Sequence, residues 1–392
     1  MADVDLEALH WLLTDAGQAL LVRAHEVHGE HAGDPVRAAT ALRRHAEPAH
    51  ASAALTQVDL RARAAPKFAD DAARMYFTPD GLEQATRLRV ASHRAARIAL
   101  SAPPSVLDVG CGIGGDLVAL ARAGLTVAAI DQDELRVAVA RANLDALGLG
   151  GAVQQASASD VDVSGFGVVF ADPARRTARG RVFDVDGWSP PWSYVVSLLE
   201  RPSAVKVAPG IPHSLVPDGV EAEWVSDDGD VKEAALWSPH LAAVRRRATV
   251  IRGAGLATLT DEDESASDVR PVGRFLYEPD GTVIRSGLVG AVAAGVSGGL
   301  VDEHIAYVTG DEEFATPLAR CYEVLEELPY KEKALRAALR SRGVGRLTIK
   351  KRGVQVVPDE LRKRLALRGD EEATLVMTRV AGKGTALLVH PR

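Results

Sequence analysis

Short apolar runs recur through the middle of the chain, and several stop at an acidic residue. Val106-Leu107-Asp108-Val109 is the first, Val127-Ala128-Ala129-Ile130 the second, and Val168-Val169-Phe170-Ala171 a later one. Brief runs bounded by turn residues are what strands buried on both faces look like. The pattern predicts strands at 106–109, 126–130, 152–156, 167–171 and 203–207, the last carrying Lys206. Helical spacing follows the first strand at 116–123 and precedes the fifth at 194–199. Strands at 221–226 and 231–237 flank an Asp-Asp-Gly-Asp turn, and 245–251 reads as another. Lys232 and Glu233 sit beside apolar neighbours in 231–237, which predicts a solvated strand face.

The two ends read differently. Residues 1–100 have an Ala/Leu/Arg-rich helical pattern with few strand signals. Near its close, Phe77-Thr78-Pro79 predicts a helix start, with Thr78 as N-cap and Pro79 in the first turn. Residues 259–269 hold Asp261, Glu262, Asp263, Glu264 and Asp268 with almost no apolar residue, which predicts an exposed linker or loop. Beyond it come a strand at 346–350, a helix at 358–367 and strands at 373–379 and 385–390. Three regions result: a helical region 1–100, an α/β core 101–255, and a smaller α+β module 270–392.

The chemistry concentrates where the first strand ends. Asp108-Val109-Gly110-Cys111-Gly112-Ile113-Gly114-Gly115 is a glycine-packed turn leading into a helix. Glycines let the backbone turn sharply and let a ligand approach it. Helix-start N–H groups receive polar ligand atoms. Gly110, Gly112 and Gly115 fit the dinucleotide spacing G-x-G-x-x-G. Gly110, Gly112 and Gly114 fit equally the G-x-G-x-G spacing of S-adenosylmethionine sites. Asp108 favours the second, because a carboxylate suits a cationic ammonium better than a pyrophosphate. Asp131, about twenty residues on, is placed to accept from ribose hydroxyls with either cofactor.

Composition narrows the class. The chain has 392 residues, 47% hydrophobic and 25% charged, which is ordinary for a globular protein of two or three domains. No apolar stretch approaches the roughly 18 residues of a membrane span. The acidic start, Met1 to Leu6, does not resemble a secretory signal, so the expected location is cytoplasmic. With 2 cysteines and no Cys/His cluster at ligand spacing, neither a disulfide framework nor a metal site is expected. Cys111 reads as a small packing residue in the loop.

The loop, together with Asp172-Pro173-Ala174-Arg175-Arg176 after the fourth strand, resembles the class I S-adenosylmethionine-dependent methyltransferases. The similarity is greatest to enzymes with an Asp-Pro-Pro-Tyr type motif and to the trimethylguanosine synthase group, which methylate nucleobase amines. The resemblance implies a Rossmann-like core with Asp108, Gly110, Gly112, Gly114, Asp131 and Asp160 on the cofactor. Asp160 would reach the adenine. Asp172 would orient the acceptor and Pro173 would shape the turn. This chain has Ala174 and Arg175 where the motif has proline and an aromatic ring; a guanidinium can stack on a base or bind phosphate. Ser189-Pro190-Pro191-Trp192 copies the synthases' catalytic letters at a later position and reads as a helix start capped by Ser189. Phe77 and Thr78 match an aromatic-x-Thr-Pro segment that covers the cofactor in those enzymes; capping and core packing also explain them.

From Arg274-Phe275-Leu276-Tyr277-Glu278-Pro279-Asp280 onward, with Ile349-Lys350-Lys351-Arg352-Gly353, the chain resembles a THUMP-like domain fused behind such a methyltransferase in an uncharacterised bacterial family. True THUMP domains bind tRNA. Charge agrees: residues 331–368 hold thirteen basic and three acidic side chains, a net +10 in a chain of −7. Such a patch is the footprint of a phosphate-backbone partner. RNA contacts are expected at Lys350, Lys351, Arg352, Arg362, Lys363 and Arg364. The expectation is a methyltransferase acting on a nucleobase amine of structured RNA. Its rivals are a methyltransferase for a small molecule or protein, a nicotinamide-dependent oxidoreductase, and a catalytically inactive RNA-binding relative.

Overall fold

A computed structural model describes residues 4–173, 176–177, 180–181 and 191–392. The chain divides into two compact units. The first is Met1–Ala208, Pro212–Val220 and Ala235–Ala243; the second is Pro209–Ile211, Glu221–Ala234 and Val244–Arg392.

The first unit begins with helices, as the sequence pattern predicts: α1 (Leu6–Leu12), α2 (Asp15–Glu30), α3 (Pro35–Leu42), α4 (Pro48–Phe68), α5 (Pro79–Gln84) and α6 (Leu88–Ala99). Side chains set several starts. Asp5, Thr14, Asp34 and Thr78 each accept a bond from a backbone N–H of the first turn. Alanines at 51, 54 and 64 let α4 pack closely, and Leu9, Leu12, Leu42 and Leu60 fill the core around it.

A parallel sheet follows, with β1 (Val106–Val109), β2 (Val127–Asp131), β3 (Ala152–Gln155), β4 (Val168–Ala171) and β5 (Ser203–Val207). Their order is β5-β4-β1-β2-β3. Helix α7 (Gly115–Arg122) follows β1, α8 (Glu134–Leu147) follows β2, and α9 (Trp192–Leu198) precedes β5. Leu117, Val118 and Leu120 of α7 join Val106 and Phe170 in one core, and β1 and β4 are buried along their whole length, Asp108 included. The N-cap position of α9 is Pro191, not Ser189 as expected; Ser189 and Pro190 lie outside the described residues.

The second unit holds β6 (Glu221–Asp227) and the start of β7 (Asp230–Trp237), whose last residues belong to the first unit. Strand β8 (Arg246–Arg252) pairs parallel to β6, and β9 (Gly255–Thr260) antiparallel to β8. One expectation is corrected here. Glu233 is buried rather than solvated, because most of β7 is covered on both faces. The 259–269 stretch begins at the end of β9 and continues as a mostly exposed loop, as expected, but its acids are not all free. Residues 259 and 260 pair in β9, Asp261 accepts from the backbone N–H groups of Arg245 and Arg246, and Asp263 accepts from Thr260. Carboxylates that read as solvating charge are engaged by backbone donors.

The rest of this unit comprises β10 (Phe275–Pro279), α10 (Gly281–Ser286), α11 (Val289–Gly295), β11 (Gly299–Asp302), β12 (Ile305–Gly310), β13 (Ala319–Leu328), α12 (Glu332–Ser341), β14 (Val344–Lys351), α13 (Pro358–Leu365), β15 (Glu371–Val380) and β16 (Lys383–Pro391). Strands β10 to β16 form a mixed sheet in the order β11-β12-β10-β13-β16-β15-β14. Leu335, Leu339, Leu361 and Leu365 press α12 and α13 onto Leu347, Leu375 and Met377. The protein is therefore α/β, with a Rossmann-like core, a helical N-terminal region and an α+β C-terminal domain.

Candidate active site

The glycine turn carries its strain at three residues. Gly110, Gly112 and Gly114 have φ of 81°, 55° and 82°, in the left-handed region, whereas Gly115 does not. That is the G-x-G-x-G spacing. Space is short at Gly114, where a Cβ would come within 3.1 Å of Ala140; at Gly110 a Cβ would make an ordinary contact, 3.5 Å from the Asp172 carbonyl. A Cβ on Gly112 would meet nothing within 4 Å. The backbone at Gly112 thus borders open space, where a ligand can lie against it.

Two acids flank this turn, in different ways. Asp131 at the end of β2 accepts from the Gly112 N–H at 2.9 Å and the Asp133 N–H at 3.0 Å. It fixes the loop to the second strand and retains unused lone pairs on its carboxylate. Asp108 is only 1% exposed, and both of its carboxyl oxygens lack a hydrogen-bond partner among the described residues. Burial, reinforced by Asp116 and Asp172, pushes its carboxyl well above the ordinary range, against the pull of Arg94. A buried orphan carboxylate beside a ligand-facing turn suits a cationic group. The donor set therefore fits S-adenosylmethionine, whose ammonium would face Asp108.

Asp160 lies in the loop after β3. It is exposed, and its carboxylate accepts from Ser159 at 3.0 Å. Cys111 is buried and burial pushes its thiol up, so it stays a neutral packing group. Phe77 packs against Phe68 in the helical core, and Thr78 caps α5 through Gly81 at 3.0 Å. Asn143 of α8 ties this segment to the turn: it donates to the carbonyls of Ile113 and Tyr76 at 2.8 and 3.1 Å.

Asp172 emerges from β4 beside the turn, since Asp108 pairs with Phe170 and Val109 with Ala171 in register. Pro173 is buried behind it. Arg175 lies outside the described residues. The residue that sequence reasoning left without a role is Lys206 on β5. Its ammonium is buried and donates to Asp172 Oδ2 at 2.6 Å and to Thr86 Oγ1 at 2.9 Å. Thr86 in turn donates to Asp116, at 2.9 Å, which also pairs with Arg94. Burial opposes ionisation of Asp116, but Arg94 and Lys206 hold its carboxyl below the ordinary range. Asp172 is thus gripped through one oxygen. The signal was present in the sequence: a lysine inside a strand otherwise apolar on both faces.

In the second unit the expected RNA contacts divide. Lys350 pairs with Glu278 at 2.6 Å, Arg362 with Asp359 at 2.7 Å and Arg364 with Glu332 at 2.9 Å. Arg352 lies over the Tyr307 ring. Lys351 and Lys363 are exposed and make no ion pair among the described residues.

Comparison with known proteins agrees with this geometry. A methyltransferase-domain family matches residues 106–176, a THUMP domain-like family matches 319–391, and a domain family of unknown function matches 5–64. Uncharacterised S-adenosylmethionine-dependent methyltransferases from two strains of Mycobacterium tuberculosis are 37% identical over 343 residues, 84% of this chain and 92% of theirs. The crystal structure of a Porphyromonas gingivalis protein assigned as a methyltransferase shares the fold. Its TM-score is 0.75 at 20% identity, over 95% of this chain and 98% of that one.

Proposed function

This chain belongs to the S-adenosylmethionine-dependent methyltransferases, and from that premise we propose that its methyl acceptor is structured RNA. The observation that carries the reading is the THUMP domain-like match over 319–391, on the module that also concentrates the basic charge. Exposed Lys351 and Lys363 supply phosphate contacts directly. Arg362 and Arg364 sit in exposed ion pairs worth about 0–1 kcal/mol, which a phosphate can displace.

In the first unit the residues divide the work. Asp108 faces the ammonium of the cofactor, Gly110, Gly112 and Gly114 give its backbone cradle, Asp131 takes the ribose and Asp160 the adenine. The cofactor supplies a methyl group on a sulfonium, transferred by in-line displacement. What the protein adds is position and exclusion of water rather than a strong base. Asp172, held through Oδ2 by Lys206, accepts a hydrogen bond from the acceptor amine. Pro173 fixes the turn, and Arg175 offers a plane for a base to stack on. Both cofactor and RNA suit a reaction in the cytoplasm. Among the described residues no helix is long and apolar enough to cross a membrane.

The test is incubation with S-adenosylmethionine labelled on its methyl group and extracts from a strain lacking the gene. The label is expected in the RNA fraction. Its appearance only in protein or small-molecule fractions would replace this reading.

A further inference from the structure

A cleft of about 670 Å³ opens in the second unit, away from the glycine turn in sequence. It is bordered by the end of β8, the 313–317 loop, and parts of β13, β14, β15 and β16. Four cations line it, Arg252, Arg320, Lys350 and Arg392, against one acid, Glu313. Two of the four are already matched. Lys350 pairs with Glu278 and Arg392 with Glu323, and neither of those carboxylates borders the cleft. The other two keep hydrogen-bond donors unused, although Arg252 lies in a long ion pair. Arg320 is exposed and makes no ion pair or side-chain hydrogen bond among the described residues. The carboxylate nearest Arg252, that of Asp280, stands 3.9 Å away, beyond hydrogen-bond reach, and its other oxygen accepts from Thr282.

Two guanidinium groups with unused donors facing one cavity match a phosphate, whose oxygens take the planar fork of arginine in pairs. The remaining wall is mixed. Phe314, Ala315 and Pro317 are apolar, while Thr316, Thr348 and Thr374 offer hydroxyls. The volume falls within the range of small-ligand sites, roughly 300–1,000 Å³. We propose that this cleft binds a phosphate monoester carried on a nucleoside, with the phosphate on Arg320 and Arg252 and the nucleoside against Phe314 and Pro317. The same group occurs on a free nucleotide and on a phosphorylated end of RNA. Only the RNA source rests on the function proposed above.

Calorimetry on the full chain decides, with S-adenosylhomocysteine saturating the methyltransferase site so that the probe reads this cleft alone. Uridine 5′-monophosphate is expected to bind at least about tenfold more tightly than uridine, the usual weight of charge-assisted hydrogen bonds. Arg320→Gln and Arg252→Gln, made separately, are each expected to weaken it by about tenfold or more. Their affinity for S-adenosylmethionine should stay at the wild-type value, which reports that they fold. A short RNA bearing a 5′-phosphate is then added in competition, beside the same RNA with a 5′-hydroxyl. Displacement by the phosphorylated RNA alone assigns the site to an RNA end; no displacement by either assigns it to a free nucleotide. Equal binding of uridine and its monophosphate would overturn the proposal. So would wild-type affinity in both arginine variants. Neither failure touches methyl transfer, and a failure of RNA methylation leaves the nucleotide result standing.

Discussion

Asp108 and Asp172 lie in one sheet, at or just beyond the ends of neighbouring strands, yet their surroundings give them opposite tasks. Asp172 has a buried ammonium on one oxygen; Asp108 has no partner on either among the described residues. A carboxyl raised by burial binds its proton more tightly folded than unfolded. The ligand-free protein therefore loses stability as pH climbs from the ordinary carboxylate range, about 4, through the raised folded value. That cost is absent below the ordinary range and complete above the folded value. Asp108→Asn removes it. Thermal unfolding of the ligand-free variant at neutral pH is expected to shift upward, while calorimetry should show S-adenosylmethionine binding weakened by about tenfold or more. A variant that binds the cofactor as the wild type does would show that the orphan carboxylate has another purpose.

At the scale of elements, what local chemistry decides was legible in the sequence. Strand ends at Asp131 and Ala171, the cap at Thr78 and the helix after Gly114 all lie within a residue or two of their expected places. Caps and glycine turns act over a few neighbouring residues, so a sequence displays them. Interactions that need a distant partner were not legible. Glu233 looked solvated because a single strand does not reveal what covers its faces. Asp261 looked like a free surface charge because its donors, at 245 and 246, come from a distant stretch of chain. Lys206 reads as an anomaly on its own and acquires meaning only beside Asp172 and Thr86. The glycines separate the same two kinds of constraint. Gly112→Ala meets open space, so its stability cost is limited to the left-handed backbone, roughly 1–2 kcal/mol. Its methyl group would occupy the cradle, and cofactor affinity should fall further than stability does. Gly114→Ala adds a close approach at 3.1 Å to Ala140 and should lower the unfolding midpoint more. Chemical denaturation beside cofactor titration of the two variants reads the difference; equal effects on both quantities would contradict it.

Over the whole molecule, charge is segregated by region. The +10 of residues 331–368 sits in a chain of net −7. Much of it is engaged locally, so the number overstates what a partner meets. Lys351 and Lys363 remain exposed without ion pairs among the described residues. Replacing both with alanine should weaken RNA binding evenly across sequences and flatten its salt dependence, by about 0.7–0.9 in slope for each phosphate that is no longer neutralised. An unchanged salt slope would move the interface elsewhere. The proposed reaction joins two chemistries: a cofactor held by the glycine turn, and an RNA acceptor oriented by Asp172. The most direct test measures labelled methyl transfer to RNA and S-adenosylmethionine affinity side by side for the wild type and Asp172→Ala. The wild type is expected to transfer the label to RNA. The variant is expected to bind the cofactor normally but to have lost transfer by about a hundredfold, the usual consequence of removing an orienting group. Full transfer by Asp172→Ala would contradict the assignment.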